Sequence, residues 1–584
     1  MAALILSIMA VWRLPIALGP LQEDLSIASS GLSIVLAAGL FMLLRYVFTY
    51  NDIRLKRIAY VIGLIFSGFT VIGKSLSINS SLGQLSWDLV LDGIFLIALY
   101  TIIYGAGLFL IYQGAEFIIN REPSGNAESL FSKITGNGFF VFAFLIVCWL
   151  PVWLAFYPGA FAFDANTQFY QYMDWVLDTQ HPLLHTLLLG ACMMYGIDHN
   201  IDGYATEGLA IYSVVQIVLL AAMLAYACHW LRRRSAPLWS RICVTLLFAL
   251  FPFYSIWSFS ATKDVLFSGL VLLVVLQLID IWHDGFAAFR SPLRIITFVV
   301  TTVLMMLMRN NGLYALIVLI PFALLWGKGM RIRLTTILAA SIALYFVANS
   351  ALVWATEATS PCKIEFLSIP LQQIGRTLRD HPEAIELDDD HILDVLYDQN
   401  LGEVYTPAIA DPVKWAAHYD MVDESIPALL SLWAKMGIQH LDSYLEAFLV
   451  QNLPYYLPGA EMLYRFDLRI LQIDMYPIEE SSYFPKAKAL YQQYDETLTF
   501  LGLPFVRLLS DTAFQVWLCI GAFGLAIYRK QKQWMVGLSF LLGIWITCLI
   551  GPVAIIRYML GFFYAMPVII AAMLAPRDST KALS

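Results

Sequence analysis

The chain has 584 residues, of which 60% are hydrophobic and only 13% charged, with a mean hydropathy of +0.71. That composition excludes a water-soluble globular fold, in which about a quarter of the residues are charged. The net charge of −8 is carried mainly by one hydrophilic stretch at 355–510 and gives no support to nucleic-acid binding.

Crossing the hydrocarbon core takes roughly 20 apolar residues, and about thirteen or fourteen such stretches follow one another along the sequence. The opening MAALILSIMAVWRLPIALG lacks a basic start and holds Arg13 within its apolar run, so it reads as a weak first span rather than a cleaved signal. Spans are predicted next at 31–49, 58–74, 88–118 and 138–156. A polar segment at 157–204 follows, then spans at 205–230, 242–259, 264–282, 293–308, 311–327 and 334–354. After the hydrophilic stretch at 355–510, the last spans are expected at 512–528, 534–550 and 556–575.

The loops richest in Lys and Arg lie at 54–57, 121–133, 232–241, 290–294, 328–333 and 529–532. All of them fall on the cytoplasmic side, as the positive-inside rule requires, provided that PLLHTLLLGACMMYG at 182–196 does not cross. That segment is therefore read as an interfacial helix of the outer leaflet. The expected fold is an all-α polytopic membrane protein with a mainly helical extracytoplasmic domain. Its parts are N-terminal transmembrane helices at 1–137, a core at 138–354 with a first external loop at 157–204, the outer domain at 355–510 and C-terminal helices at 511–584. No period of 20–50 residues repeats, which excludes a solenoid. Six of the seven cysteines lie in apolar segments and only Cys362 in the polar stretch, so neither a disulfide framework nor a zinc site is implied.

The residues able to do chemistry gather at the outer turns. Asp164, in FYPGAFAFDANTQ, follows a span exit broken by Pro-Gly; a carboxylate there is placed to act as general base, and equally to cap the helix that starts near Asn166. His181 and His185 are four residues apart, a spacing that permits a metal pair, although His181-Pro182 reads more simply as the start of a helix with His181 holding the loop or touching substrate. In SFSATKDVLF, Ser260 or Thr262 is a helix cap, with Lys263 and Asp264 in the first turn, an arrangement that suits a phosphate. In MRNNGLY, Arg309 sits where two spans meet, and a charge so placed costs on the order of 3 kcal/mol unless it finds a partner. Arg309 is suited to clamp a phosphate, with Asn310 or Asn311 donating to a sugar hydroxyl; a solvated hairpin tip is the plainer alternative.

Gln372, Gln373 and Arg376 share part of one helical surface, suited to contact donor or acceptor or simply to face water. The acidic run 386–391 reads as a solvated loop, since it lacks the glycine and terminal glutamate of a calcium loop. Arg557 opens the last span, where it can join Lys263 and Arg309 around an anion or anchor the helix together with Tyr558. Tyr455, Tyr456 and Tyr464 can present rings to sugars, but packing explains them equally.

An external Asp soon after a long span, a downstream His-Pro, then TKD and RNNG at successive outer turns resemble the GT-C glycosyltransferases, particularly branches like the protein O-mannosyltransferases. The resemblance covers 138–575 and leaves the four preceding spans outside it. It implies a polyprenyl-phosphate-linked sugar as donor, a cell-envelope glycan, lipid or protein as acceptor, transfer at the outer face of a bacterial plasma membrane, and Asp164 as base. Lys263 and Arg309 match outer-turn positions where such enzymes place cations near the lipid phosphate. The family's acid often belongs to an Asp-Glu or Asp-Asp pair, whereas Asp164 is followed by Ala165. No cofactor is therefore assigned, and a divalent cation stays open. A transporter or lipid flippase is the rival from another class and would place its ionisable residues near the midplane; a non-catalytic envelope assembly protein is the third reading.

Overall fold

The computed structural model describes residues 1–14, 31–83, 86–120, 135–200, 204–326, 329–503 and 505–576. Among the described residues the regular structure is helical, and the only β-pairing is a handful of isolated bridges. The N-terminal helices are α1 (Ala2–Trp12), α2 (Gly31–Thr49), α3 (Ile53–Asn79) and α4 (Trp87–Asn120). The core follows with α5 (Gly138–Ala155), α6 (Ala165–Met173), α7 (Leu183–His199), α8 (Thr206–Arg233), α9 (Leu238–Leu250), α10 (Pro252–Phe259) and α11 (Lys263–Asp284). It continues with α12 (Pro292–Met308), α13 (Asn311–Trp326) and α14 (Arg331–Thr356). The longer helices of the polar region are α15 (Ser368–Asp380), α16 (Tyr419–Gln439), α17 (Leu441–Gln451) and α18 (Pro485–Thr497), and the chain closes with α19 (Thr512–Arg529), α20 (Lys532–Leu549) and α21 (Leu560–Met573).

Among the described residues ten helices are long and apolar enough to span a membrane, eleven if α9 and α10 form one bent span, and α1, α12 and most of α13 are shorter apolar helices. The protein is thus a multi-pass membrane protein with lipid-facing helices. Two expectations change in detail. The span expected at 242–259 breaks at Phe251 and bends by 50°, because Pro252 has no amide hydrogen to continue the ladder and starts a new helix instead. The first span is reduced to the 11 residues of α1, ending at Arg13, which forms a two-pronged ion pair with Asp92 of α4 at 2.7 Å. The basic loop at 121–133 and residue 328 of the loop at 328–333 lie outside the described residues.

Local chemistry sets the boundaries. Asp52 caps α3 by accepting from the Leu55 amide at 2.9 Å, Asn137 caps α5 through Phe139 at 2.9 Å, and Asp511 caps α19 through Phe514 at 2.7 Å. α11 and α21 are almost wholly buried and form the axis of the bundle, whereas α2 and α14 expose most of their surface. α5 ends, and α8 begins, at the same end of the bundle as Asp164, so α7 between them adds no span. It lies against α8 so closely that a Cβ on Gly196 would stand 2.1 Å from the Gly208 amide nitrogen. Arg232–Arg234, Arg290, Arg294 and Arg529 all lie at the opposite end.

The polar region divides. Residues 364–444 build a core of their own around Leu371, Ile374, Leu429 and Met436. Tyr455, Phe466, Tyr494 and Val506 belong instead to the main core of the helix bundle. Within the acidic run, Asp388 accepts from the Ile392 and Leu393 amides at 3.0 and 2.9 Å, so its role is to cap a short helix.

Candidate functional site

The chain leaves α5 through Pro158 and Gly159. Gly159 has φ +141°, and a Cβ there would lie 2.3 Å from the Ser213 hydroxyl, so only glycine lets the loop run this close to α8. Residues 160–161 are then gripped from both sides. Ala160 donates to Phe259 at 3.2 Å and accepts from Ala261 at 2.9 Å; Phe161 donates to Arg469 at 3.1 Å and accepts from Leu471 at 2.7 Å. Phe163 follows in the left-handed region at φ +57°, a conformation that costs a non-glycine residue about 1–3 kcal/mol and swings Asp164 inward.

Asp164 precedes α6 but makes no capping hydrogen bond. Its carboxylate meets cations instead: Lys263 Nζ donates to Oδ2 at 2.7 Å, and Arg557 approaches the two oxygens at 3.3 and 3.5 Å. Lys263 is the first residue of α11, and Thr262 is that helix's N-cap. The same ammonium donates to His181 Nδ1 at 3.1 Å. One residue on, the fully buried Asp264 pairs with Arg309, lies 3.7 Å from Arg557 and accepts from the Thr262 hydroxyl at 3.1 Å. Arg309, at the tip between α12 and α13, donates through Nε to Asn311 at 2.8 Å, and Asn311 donates to Thr547 of α20 at 2.8 Å. Tyr558 lies between the two guanidinium groups, 3.9 Å from Arg309 and 5.1 Å from Arg557, and Phe163 takes the other side of Arg557 at 4.4 Å.

Three cations and two carboxylates thus share one buried cluster, leaving one positive charge in excess when all five are ionised. His181 does not add another. Burial and the neighbouring Lys263 push its pKa down to about 4, so it is neutral and accepts from the lysine. Burial raises the Asp164 pKa, but Lys263 and Arg557 outweigh it and hold the carboxyl well below the usual range. Asp164 is the most accessible member, with 28% of its side chain exposed against 8–14% for the cations. An uncompensated charge in such surroundings is costly, and an anion entering beside Asp164 would relieve it. A divalent cation does not fit here: both Asp164 oxygens already face cations, and among the described residues no three His, Cys, Asp or Glu side chains are grouped to hold a metal.

Asp164, His181, Lys263, Asp264, Arg309, Asn311 and Arg557 therefore come together in one cluster. Asn310 does not join them; its side chain accepts from Tyr345 of α14 at 3.0 Å. Both ends of the Asn311 amide are engaged, so it orients Arg309 rather than presenting a free donor. Gln373 and Arg376, expected to reach substrate, lie in the separate outer core. Gln373 donates to the Tyr444 carbonyl at 3.2 Å and accepts from Trp433 at 2.7 Å. Arg376 is fully buried between Asp380, at 2.7 Å, and Glu446. They face inward because the apolar residues flanking them turn that side of α15 into the domain core.

His185 parts company with His181. It is completely buried, held neutral by burial with a pKa of about 3, and bridges Gln168 at 3.1 Å and the Tyr212 hydroxyl at 2.7 Å. Tyr212 donates to Gln216 at 2.9 Å, whose amide donates to the carbonyls of Trp257, Ser258 and Ser260. This chain fixes the turn that carries Lys263. Tyr455 does the same for Arg557, exchanging hydrogen bonds with the backbone of Ile555 at 3.1 and 3.2 Å. Nothing in the linear pattern marks Gln168, Tyr212 or Gln216; only their polarity within apolar helices hints at a partner.

Fold and site together define a polytopic helical membrane protein with a buried, net-positive ionic cluster at one end of its bundle. The chain belongs to a family of unknown function (DUF6020), whose profile matches residues 174–583. The match takes in every member of the cluster except Asp164. No curated protein and no solved structure matches the chain.

Proposed function

We propose that the protein is an inverting membrane glycosyltransferase that moves a sugar from a polyprenyl-phosphate donor to a cell-envelope acceptor on the extracytoplasmic side of the plasma membrane. The observation that carries this reading is the excess positive charge of Lys263, Arg309 and Arg557 around the one accessible carboxylate, Asp164. The described basic residues Arg232–Arg234, Arg290, Arg294 and Arg529, at the end of the bundle away from Asp164, support that sidedness.

The three cations receive the donor phosphate. An acceptor hydroxyl then attacks sugar C1, Asp164 takes its proton, and the C1–O bond breaks with its electron pair passing to the lipid phosphate. In the resting cluster Asp164 is a poor base, because Lys263 and Arg557 stabilise its charge. The phosphate draws those cations onto itself, loosens their hold and makes the carboxylate more basic once donor is bound. Asn311 and Tyr558 keep Arg309 in place.

The low pKa of Asp164 also favours a second reading, in which the cluster only binds a lipid phosphate, as in a flippase, and Asp164 merely spaces the cations. Proteoliposomes carrying wild type or Asp164→Asn, supplied with radiolabelled polyprenyl-phosphate sugars and envelope acceptors, decide between them. Transfer by wild type and none by a folded Asp164→Asn supports the enzyme. Donor binding without transfer in wild type overturns it in favour of the binding protein.

A further inference from the structure

A cavity of about 510 Å³ lies far from the ionic cluster, between the N-terminal helices α3 and α4 and the C-terminal helix α19. Its walls are apolar, with Phe66, Tyr104 and Leu108 on one side and Trp517 on the other. Two glycines open it. A Cβ on Gly107 would meet nothing within 4 Å, and one on Gly521 would make only an ordinary contact with Leu108 at 3.7 Å. The lining runs along α4 from Ile103 to Ala115 and along α19 from Phe514 to Leu525, which at helical rise is about 16–18 Å. That is close to the depth of a single leaflet, roughly half the 30 Å hydrocarbon core.

The lining has two limits. One, at Phe514 and Pro458, is the nearer to the Asp164 end of the bundle. The other, at Ala115 and Met573, lies where Arg529 pairs with Glu116 at 2.7 Å and donates to the Met573 carbonyl at 3.0 Å. Arg54 donates to the Ile527 carbonyl beside it at 3.2 Å, and Arg54, Arg57, Lys530 and Lys532 are exposed there. Asp52 accepts from Tyr528 at 2.8 Å and Glu116 pairs with Arg529, so among the described residues the exposed cations of this rim outnumber its acids.

We infer that this crevice is a binding site for one anionic glycerophospholipid, with an acyl chain lying between α4 and α19 and its phosphate at the basic rim. A space within the membrane that is apolar along one leaflet and cationic at one limit matches that ligand in length and in charge. A polyprenyl phosphate shares the chemistry, but its chain is far longer than the crevice, and a donor must bring its phosphate to the opposite end, beside Asp164. The bound lipid cements the N-terminal helices to the family-matched remainder of the chain. This inference stands apart from the proposed transferase activity.

The test is native mass spectrometry of the full-length protein released from nanodiscs of phosphatidylglycerol, phosphatidylethanolamine, or phosphatidylethanolamine with added polyprenyl phosphate. One phosphatidylglycerol should remain bound to wild type and be lost from Gly107→Leu/Gly521→Leu. Arg54→Gln/Lys530→Gln should retain it roughly twenty-five-fold less, since each cation near an anionic headgroup is worth about five-fold. The rim pair is exposed, so it also guards against a crevice variant that fails to fold. Equal retention of the zwitterionic lipid, preferential retention of polyprenyl phosphate, or phosphatidylglycerol binding unchanged in both variants would each overturn the assignment.

Discussion

Two buried clusters of arginine and carboxylate sit in this molecule, and they are built on different accounting. In the outer core, Arg376 is enclosed by Glu446 and Asp380, with Arg379 reaching Asp380 at 2.7 Å, so two positive charges meet two negative ones. Glu446 also accepts from the Leu82 amide at 2.7 Å and the Ser81 hydroxyl at 3.1 Å, which ties this core to the α3–α4 turn. At the bundle end, three cations face two carboxylates, the segments come from five distant parts of the chain, and a backbone outlier at Phe163 aims the most accessible member. A balanced cluster completes itself and acts as a fastener. An unbalanced one is held together by α11, α12, α20 and α21, and its excess positive charge would be relieved by an anion.

The sharpest way to break that contrast is to remove one carboxylate from each cluster. Asp164→Asn should lower sugar transfer per folded molecule by about 10²–10⁴-fold, the usual worth of a general base, with the fold retained by size exclusion and a lowered thermal midpoint, because the pairing with Lys263 and Arg557 is lost. Glu446→Gln should act on stability alone. It leaves Arg376 buried without a full partner and should cost about 3–5 kcal/mol of stability in denaturant titrations, with turnover per folded molecule unchanged. If the two variants behaved alike, the distinction between fastener and site would fall.

Acidity sharpens the comparison further. His181 is held neutral with a pKa of about 4 against about 6.5 when unfolded, so the unfolded chain binds more protons between those values. Stability should therefore decline as pH falls from about 6.5 to about 4, by on the order of 3 kcal/mol from His181, with His185 adding to the slope. His181→Gln should remove its share in a pH series of unfolding midpoints. Asp164 behaves oppositely: its lowered pKa contributes stability in full above about 4, lost only as pH falls through its folded value.

Arg309→Lys keeps the charge but loses both the donor to Asn311 and the flat face over Tyr558. It should raise KM for donor about ten-fold or less and leave folding intact, read from initial rates across donor concentrations. The smallest effect belongs at the far end. Arg294 and Asp284 pair at 2.6 Å while about a third exposed, so Arg294→Ala should cost no more than about 1 kcal/mol and nothing in transfer.

Hydropathy alone determined that this is a membrane protein built of helices, because desolvating a backbone leaves helices as the economical way through lipid. Short local signals went further. Asp52, Asn137 and Asp511 announce helix starts, and the turns holding Lys263 and Arg309 were legible as charged residues at span ends. Tertiary structure decided the rest. Whether Asp164 caps a helix or faces cations depends on a loop gripped by residues 259–261 and 469–471, hundreds of positions apart in sequence. His181 and His185 share a helical spacing yet take unrelated partners, since the chain bends at Pro182 between them. Gln373 and Arg376 carried the same polarity as the residues of the ionic cluster but turned inward, because polar side chains point wherever burial offers them a partner, and only packing fixes where that is.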